Sequence, residues 1–354
     1  MLPAPMNRIS RGTTRALQAY VEAYRGGVGA IRDIDLARRQ LPPWASLGEG
    51  AAGTAYTLWR LGDRRAASRW ADAALADRRR AAFHTTLCDR TRASSLMFGR
   101  VGVRWTAALV KGGAHTDRFA KSLEAGATRL EFATGAAGHL LASIVLLRRR
   151  PHPRLARCAT ALATRLETGL VRRGHRTWTP RDATGFAHGW VGVLFALLEW
   201  YRFSGVAVPS PAVGALTALA GAWSPDTVQT EALQPSWCNG AAGPSLLWAR
   251  AFESTGDRRF SRLAARAAQA AVRTSGRSST LCCGDAGVGF ALLAMHRIDP
   301  SGGWRGQAAG LCARAIAQVD MPRAFGLFQG HGGLVCLAAD CVSEAPQGFP
   351  AVEG

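Results

Sequence analysis

The chain has 354 residues, of which 48% are apolar and 19% charged, and this globular composition excludes a largely disordered protein. Its formal net charge of +20 indicates an anionic partner, but the arginines are dispersed without interleaved aromatic residues, which favours an acidic peptide over nucleic acid. No apolar stretch approaches the roughly 18 residues of a membrane span, and no hydrophobic signal core opens the chain, so we expect a cytoplasmic protein without a transmembrane segment.

A short glycine pattern organises the whole chain. It consists of a glycine, two further residues, a second glycine and an apolar run, and it occurs seven times. The first glycines of the seven instances are Gly50, Gly99, Gly135, Gly189, Gly240, Gly284 and Gly330. Successive instances lie about 36 to about 54 residues apart, which is the length of a helical pair with its loops.

Two kinds of helix are predicted to alternate along this repeat. Segments that follow the glycines are apolar on all sides, as in buried helices: Thr54–Leu61, His139–Arg148, Val193–Tyr201, Pro244–Phe252 and Phe290–His296. Segments between them are rich in Ala and Arg with charges at helical spacing, as in helices with one wet face: Arg65–Asp77, Arg154–Leu170, Asp257–Val272 and Gly303–Val319. The predicted fold is therefore all-α, an α/α toroid of seven inner and seven outer helices.

The pattern also predicts the limits of the domain. With no internal linker, residues 1–354 are expected to form a single domain. Residues 1–12 are expected to be an unstructured N-terminal arm, and residues 343–354, which include Pro346 and Pro350, a flexible tail.

Three of the eight cysteines stand apart from the rest. Cys238 lies two residues before a repeat glycine, and Cys282 and Cys283 lie directly before the next one. Because equivalent loops of adjacent repeats meet at one rim of a toroid, three thiols should converge there. Three soft ligands with an open fourth position are typical of a catalytic zinc site, although packed thiols beside glycines are the structural alternative. The other five cysteines are expected to be core residues: Cys88, Cys158, Cys312, Cys336 and Cys341.

Two histidines lie in the same register. His188 directly precedes the repeat glycine Gly189, one repeat before Cys238, which favours an acid or base near the metal over a structural histidine. His331 follows Gly330 and is a candidate site-lining residue, fourth ligand or helix-start residue.

These motifs resemble the lanthionine synthetase C-like cyclases. The resemblance rests on Gly-x-x-His-Gly-x-x-Gly at 185–192, Trp-Cys-x-Gly-x-x-Gly at 237–243, Cys-x-Gly-x-x-Gly at 282–287 and Gly-Leu-x-x-Gly-x-x-Gly at 326–333. It covers nearly the whole chain and implies a toroid with one Zn²⁺. Family members add peptide Cys thiols to dehydroalanine or dehydrobutyrine and so form thioether rings.

The sequence departs from the family pattern at several site positions. The family's usual zinc ligands are two Cys and one His, but the His position holds Cys283, so the implied metal site is Cys238, Cys282 and Cys283. Glu131 stands where the family often has Asp and could orient His188.

Three further residues are possible site-lining residues. Gln234 stands where the family often has an Arg expected to steady an enolate, Asn239 stands where it often has Tyr or His, and Trp237 lies between them.

The resemblance also implies the partners of such a chain. They are a dehydrated precursor peptide, with an acidic leader as the match to the basic surface, and a separate dehydratase, because no nucleotide-binding loop is present. Two other functions remain open at this point. They are the addition of a small thiol such as glutathione to an electrophile, and a toroid scaffold that binds peptide and partner enzymes without catalysis.

Overall fold

The computed structural model describes residues 4–25 (with side chains from residue 14), 45–76, 94–124, 126–127, 129–174, 185–225, 235–319 and 326–353. In these ranges the chain forms fourteen helices and no strand. Their bounds are α1 Ala4–Arg25, α2 Ala51–Arg60, α3 Arg64–Ala76, α4 Arg100–Lys111, α5 Ala114–Leu123, α6 Ala136–Arg149, α7 Pro153–Arg173, α8 Trp190–Ser204, α9 Ser210–Ala222, α10 Ala242–Thr255, α11 Arg258–Arg273, α12 Asp285–Ile298, α13 Trp304–Gln318 and α14 Gly332–Val342.

The even-numbered helices form a closed inner ring. Each of them contacts the next even-numbered helix in chain order, and α14 returns to contact α2. Their composition explains the position, because a helix that is apolar on all sides is stable only when it is buried on all sides. In α6, for example, every residue from Ala136 to Leu147 is buried.

The odd-numbered helices pack outside this ring. In α11 the buried face consists of Phe260 and alanines such as Ala264 and Ala268, while its arginines face solvent. The α/α toroid predicted from the glycine repeat is therefore confirmed.

Helix α1 occupies the seventh outer position. It contacts α13 and α14, and its buried Tyr20 and Tyr24 face the core. The indole Nε1 of Trp70, in α3, donates a hydrogen bond of 2.8 Å to the Tyr24 carbonyl. Because α1 begins at Ala4, the expectation of an unstructured arm over residues 1–12 is wrong for residues 4–12.

A ring of backbone hydrogen bonds joins the seven loops that precede the inner helices. Each bond starts at the residue two positions before the first glycine of a repeat and ends at the equivalent residue of a neighbouring repeat. These residues, called the rim ring below, are Gly48, Met97, Ala133, Ala187, Cys238, Cys282 and Phe328, and the N–H of each donates to the next carbonyl, with Phe328 donating back to Gly48, at 2.8–3.3 Å. The loops therefore meet at one end of the toroid, as the sequence predicted.

The second glycine of each repeat is required by close packing under this ring. A Cβ at Gly243 would lie 2.5 Å from the Trp237 carbonyl oxygen and 2.8 Å from Cβ of Phe186. A Cβ at Gly287 would lie 2.5 Å from the Leu281 carbonyl oxygen. Only a residue without a side chain allows the inner helix to approach its own loop so closely.

The C-terminal segment fills the centre of the toroid. Phe349 is fully buried, and its ring stacks on Trp237 with centroids 5.0 Å apart and lies 5.4 Å from the ring of Phe290. Ala351 and Val352 are buried as well. The expectation of a flexible tail over residues 343–354 is therefore wrong for this segment, because the space along the axis of the ring is apolar and needs filling.

Ion pairs fix this segment at the far end of the toroid. Glu353 pairs with Arg250 at 2.5 Å and with Arg297 at 3.1 Å. Burial alone raises the pKa of Glu353, but these guanidinium groups outweigh it and lower the pKa to about 2. On α2 and α14, Arg60 pairs with Asp340 at 2.8 Å and donates to the Gly348 carbonyl at 2.7 Å.

Among the described residues, no helix is both long and apolar enough to span a bilayer.

Candidate metal centre and rim site

The three predicted cysteines lie together at the rim of the toroid. Cys238 and Cys282 occupy the same register position in the fifth and sixth repeats, and the Cys238 N–H donates to the Cys282 carbonyl at 3.3 Å. Cys283 is the next residue along and directly precedes Gly284, the N-cap of α12. The repeat therefore brings thiols from two separate loops to one point.

The sulfur geometry fits a tetrahedral zinc ion. The three Sγ atoms lie within 4.8 Å of one another, and those of Cys238 and Cys283 are 3.6 Å apart. A tetrahedron with Zn–S bonds of about 2.3 Å has S···S edges of about 3.8 Å. Cys238 and Cys282 are each 6% exposed, while Cys283 is half-buried, so a bound metal would be reached from the side of Cys283.

The three thiols interact, and the pKa of one of them is lowered. Hydrogen bonds from Cys238 and Cys282, and one from the Gln329 side chain, hold the pKa of Cys283 far below its ordinary value despite burial. The hydrogen bonds with Cys238 and Cys283, together with burial, raise the pKa of Cys282. A thiol of lowered pKa beside two further thiols is a donor set that binds a soft divalent metal and releases protons as it does so.

His188 and Glu131 form a pair on the neighbouring loops. Nδ1 of His188 lies 3.5 Å from Oε2 of Glu131, and the His188 side chain is 51% exposed while that of Glu131 is 12% exposed. His188 follows Ala187, whose N–H donates to the Cys238 carbonyl at 3.1 Å. The backbone therefore places the loop of His188 beside the loop that carries Cys238.

Glu131 is held ionised by its neighbours. Burial raises its pKa, but hydrogen bonds from His188, Thr134 and the Ala133 N–H outweigh burial and bring the pKa below its usual value. The Ala133 N–H donates at 2.7 Å and the Thr134 N–H at 3.0 Å. A carboxylate held in this way can orient an imidazole.

The residues directly before the first glycines form a second circle around the rim. They are Glu49, Phe98, Thr134, His188, Asn239, Cys283 and Gln329. This circle contains the exposed Gln329, which bonds to Cys283 and which the sequence analysis did not select. Its register, equivalent to that of His188 and Cys283, is the signal that could have identified it.

The remaining predicted site residues have different positions. Trp237 is fully buried and packs on Phe328 and Phe349 with ring centroids 5.2 Å and 5.0 Å away, so it supports the cysteine loop from below and does not line the rim. Asn239 is half-buried, and its N–H donates to Ser236 Oγ at 3.2 Å. Gln234 lies outside the described residues.

His331 lies at the start of α14, as its helix-start interpretation predicts. In the described part of the chain, the cluster of metal-ligand atoms consists of the three cysteines without it, so the geometry does not make His331 a fourth ligand. Away from the rim, Cys312, Cys336 and Cys341 are buried and Cys158 is half-buried, in agreement with their prediction as packing residues, while Cys88 lies outside the described residues.

Comparison with known proteins identifies the family. The sequence model of the family described as lanthionine synthetase C-like protein matches residues 44–353 of this chain. The chain belongs to the lanthionine synthetase C-like family. A solved structure described as nisin cyclase is similar over 96% of this chain and 95% of that chain, with a TM-score of 0.66 and 12% sequence identity. This likeness shows that the two share a fold. No match appears among the curated proteins.

Proposed function

We propose that this lanthionine synthetase C-like protein is a zinc-dependent cyclase. It adds Cys thiols of a dehydrated precursor peptide to dehydroalanine or dehydrobutyrine and forms lanthionine-type thioether rings. The observation that carries the proposal is the cluster of Cys238, Cys282 and Cys283 at the rim of the toroid, beside the pair of His188 and Glu131. A protein that only binds peptide needs neither feature.

The proposed metal is one Zn²⁺ per chain, held by the three cysteines as thiolates. When bound, zinc supplies a Lewis acid that lowers the pKa of a substrate thiol and leaves a thiolate at neutral pH. Three thiolates carry one more negative charge than a site of two Cys and one His. Such a donor set would leave more electron density on a substrate sulfur and would so favour its attack on carbon.

The chain's own residues then have to move one proton. The new C–S bond forms at the β-carbon of the dehydrated residue, the π electrons move to an enolate, and the α-carbon takes up a proton, so that the thiol S–H proton is balanced by the new C–H bond. His188 is the proposed carrier of that proton. Because Glu131 accepts from Nδ1, the neutral ring has its lone pair on Nε2, the nitrogen that can take up and release a proton.

The enolate oxygen needs a positive partner at the same rim. Inner helices begin there, and their free N–H groups and dipoles favour a negative charge. We propose that these helix N-termini stabilise the enolate oxygen. They would partly replace the Arg that the family often has at the position of Gln234, since an amide cannot supply a cation.

The proposed partners follow from the same chemistry. A separate dehydratase supplies the dehydrated peptide, and an acidic leader on that peptide matches the net charge of +20. We place the reaction in the cytoplasm, where the thiols of the three ligands stay reduced.

The first experiment measures zinc per chain in the purified protein and in a Cys282→Ala, Cys283→Ala double variant. We expect about one zinc in the parent and a loss of at least tenfold in the variant, whose helical circular dichroism is unchanged. A matched control is Cys312→Ala, which removes a buried thiol far from the rim and should leave zinc in place. A folded parent without zinc would contradict the metal site.

A second assay separates the proposed activity from the alternatives. Zinc-loaded protein is incubated with a dehydrated peptide that contains a free Cys, with and without glutathione, and products are counted by thiol alkylation and mass spectrometry. Intramolecular loss of the free thiol supports the cyclase. Glutathione adducts without rings would instead show addition of a small thiol, and binding without either product would show a scaffold.

A further inference from the structure

The outer face of α11 carries a row of arginines. Arg258, Arg262, Arg266 and Arg273 are all exposed. Their spacing of 4, 4 and 7 residues keeps them within an arc of about 80° on a helix that turns about 100° per residue. These four residues are called the arginine row below.

The arginine row lacks the acidic partners that other arginines in this protein have. Arg60, Arg148, Arg250 and Arg297 all pair with Asp or Glu within 3.1 Å. None of the four residues of the row has an ion pair with an acidic side chain of the described residues, and α11 itself contains no Asp or Glu. The preceding N-cap, Asp257, is already occupied by the Arg259 N–H and guanidinium. Apart from the electrostatic attraction between Asp257 and Arg262, the row is therefore a strip of positive charge without paired acids.

The rim end of this strip lies close in sequence to the loop that carries Cys282 and Cys283. Helix α11 ends at Arg273, nine residues before Cys282. The segment that follows is fastened to the start of α12, because the Gly276 N–H donates to Asp285 at 2.7 Å and the Asp285 N–H donates to the Ser278 carbonyl at 2.7 Å. Arg273 therefore stands at the rim end of the row, and Arg258 at the far end.

The dimensions suit an extended peptide. The 16 residues of α11 span about 24 Å at 1.5 Å per residue, and an extended chain covers that distance with about seven residues. A peptide bound along the row would pass over Arg273 and continue towards Cys282 and Cys283. Carboxylates are the groups that exposed guanidinium forks bind bidentately.

We propose that the arginine row is the docking site for an acidic segment of the substrate peptide. The row guides the remainder of that peptide to the loop that carries Cys282 and Cys283. This inference rests on the proposed cyclase function, because that function supplies the peptide. It adds the surface and the chemistry by which the peptide is held. The partner is defined as a short extended segment rich in Asp and Glu.

The test is a binding measurement that does not depend on turnover. The probe is a fluorescein-labelled peptide of eight alternating Glu and Asp residues, and its neutral counterpart has Gln and Asn at the same positions. Binding to the full-length zinc-loaded protein is followed by fluorescence anisotropy at low and at raised NaCl. We compare the wild type with a quadruple variant R258Q, R262Q, R266Q and R273Q.

A matched control removes the same charge elsewhere. Its substitutions are R65Q, R118Q, R157Q and R172Q, at four exposed arginines on other outer helices. We expect the row variant to bind the acidic probe about tenfold or more weakly, and the control to bind it less than about threefold more weakly. Raised salt should weaken wild-type binding, and the neutral probe should not bind.

The other outcomes would overturn the proposal. An equal loss in both variants would show attraction by net charge alone, and no binding of the acidic probe to the wild type would show that the row is only a solvated face. The same proteins are also measured against a short RNA duplex and against phosphatidylserine vesicles. If the row substitutions abolish binding to one of these but spare the acidic peptide, the row is a nucleic-acid or membrane site instead. If the protein binds the acidic probe through the row but forms no thioether rings, the proposed cyclase function is wrong and the docking site stands.

Discussion

Glu131 serves two neighbours at once. Its oxygens accept hydrogen bonds from the Ala133 and Thr134 N–H groups of its own loop, and one of them also faces His188. Four other repeats use an uncharged side chain for the loop bond, at the position four residues before the first glycine. These are Ser46, Ser95, Ser236 and Thr280. Five of the seven loops therefore have a side-chain acceptor at this position, with Gly185 and Gly326 standing there in the other two. Among the five acceptors Glu131 alone is a carboxylate, and we propose that its negative charge serves His188.

Two substitutions separate these roles. We expect His188→Ala to lower the cyclisation rate about 10²- to 10⁴-fold, because a positioned proton carrier contributes that much, while zinc content stays at the wild-type value. Glu131→Gln keeps one oxygen for a loop N–H but sets an NH2 group against the other, so it should lower the free energy of unfolding by about 1–3 kcal/mol. It should also slow the reaction of the protein that remains folded. The matched control is His115→Ala on α5. A His188→Ala variant that cyclises at the wild-type rate would refute the proton-transfer role.

The helices themselves were largely predictable from the sequence, and the exceptions have physical reasons. Repeated glycines followed by apolar runs identified the inner helices, because all seven inner helices pack closely on the preceding loop and are buried on all sides. Helix α1 follows no glycine pair, but Leu17, Tyr20, Val21 and Tyr24 lie at helical spacing, which is a signal that could have revealed it. The burial of Phe349 had no local signal, because the space that it fills exists only after the ring has closed.

The buried carboxylate of the C-terminal segment gives a pH-dependent prediction. The pKa of Glu353 is lowered to about 2 in the folded protein, so its contribution to stability is fully present above the unfolded value near 4.5 and is lost as pH falls towards 2. We expect Glu353→Gln to reduce the free energy of unfolding at pH 7 by about 3 kcal/mol. The difference from the wild type should shrink in urea titrations below pH 4.5. Glu344→Gln, at an exposed position in the same segment, is the control and should have no such effect.

The aromatic residue of this segment supports the loop that carries Cys238 from beneath. Phe349 stacks on Trp237, which directly precedes Cys238. We expect Phe349→Ala to destabilise the protein by about 3–5 kcal/mol and to weaken zinc binding, because the support under Trp237 is removed. Phe349→Leu, which keeps most of the volume, should retain most of both properties. Zinc affinity is measured by competition with a chromogenic chelator under conditions where both variants are folded. An unchanged zinc affinity in the alanine variant would show that the stacking is structural only.

At the scale of the whole molecule, charge is distributed very unevenly between interior and surface. The acidic groups Glu199, Asp340 and Glu353 are buried in ion pairs, whereas many arginines of the outer helices are exposed without such partners. The buried acids are therefore matched by buried arginines. Some outer cations pair with surface acids, as Arg154 does with Glu124, but the 44 Lys and Arg residues outnumber the 24 Asp and Glu residues. The net charge of +20 thus acts mainly as repulsion across the surface.

This distribution predicts how salt changes stability. Added NaCl screens exposed charges at a Debye length of about 10 Å or less above 0.1 M, but it hardly affects buried pairs. Because the exposed charges repel and the buried pairs attract, screening should raise the melting temperature, by about 1–3 °C between 50 and 500 mM NaCl. The measurement is differential scanning calorimetry, with sodium sulfate at matched ionic strength as the control for specific anion binding. The row variant, with four fewer positive charges, should show a smaller rise. A melting temperature that falls with salt would mean that surface ion pairs, and not repulsion, dominate the electrostatics of the toroid.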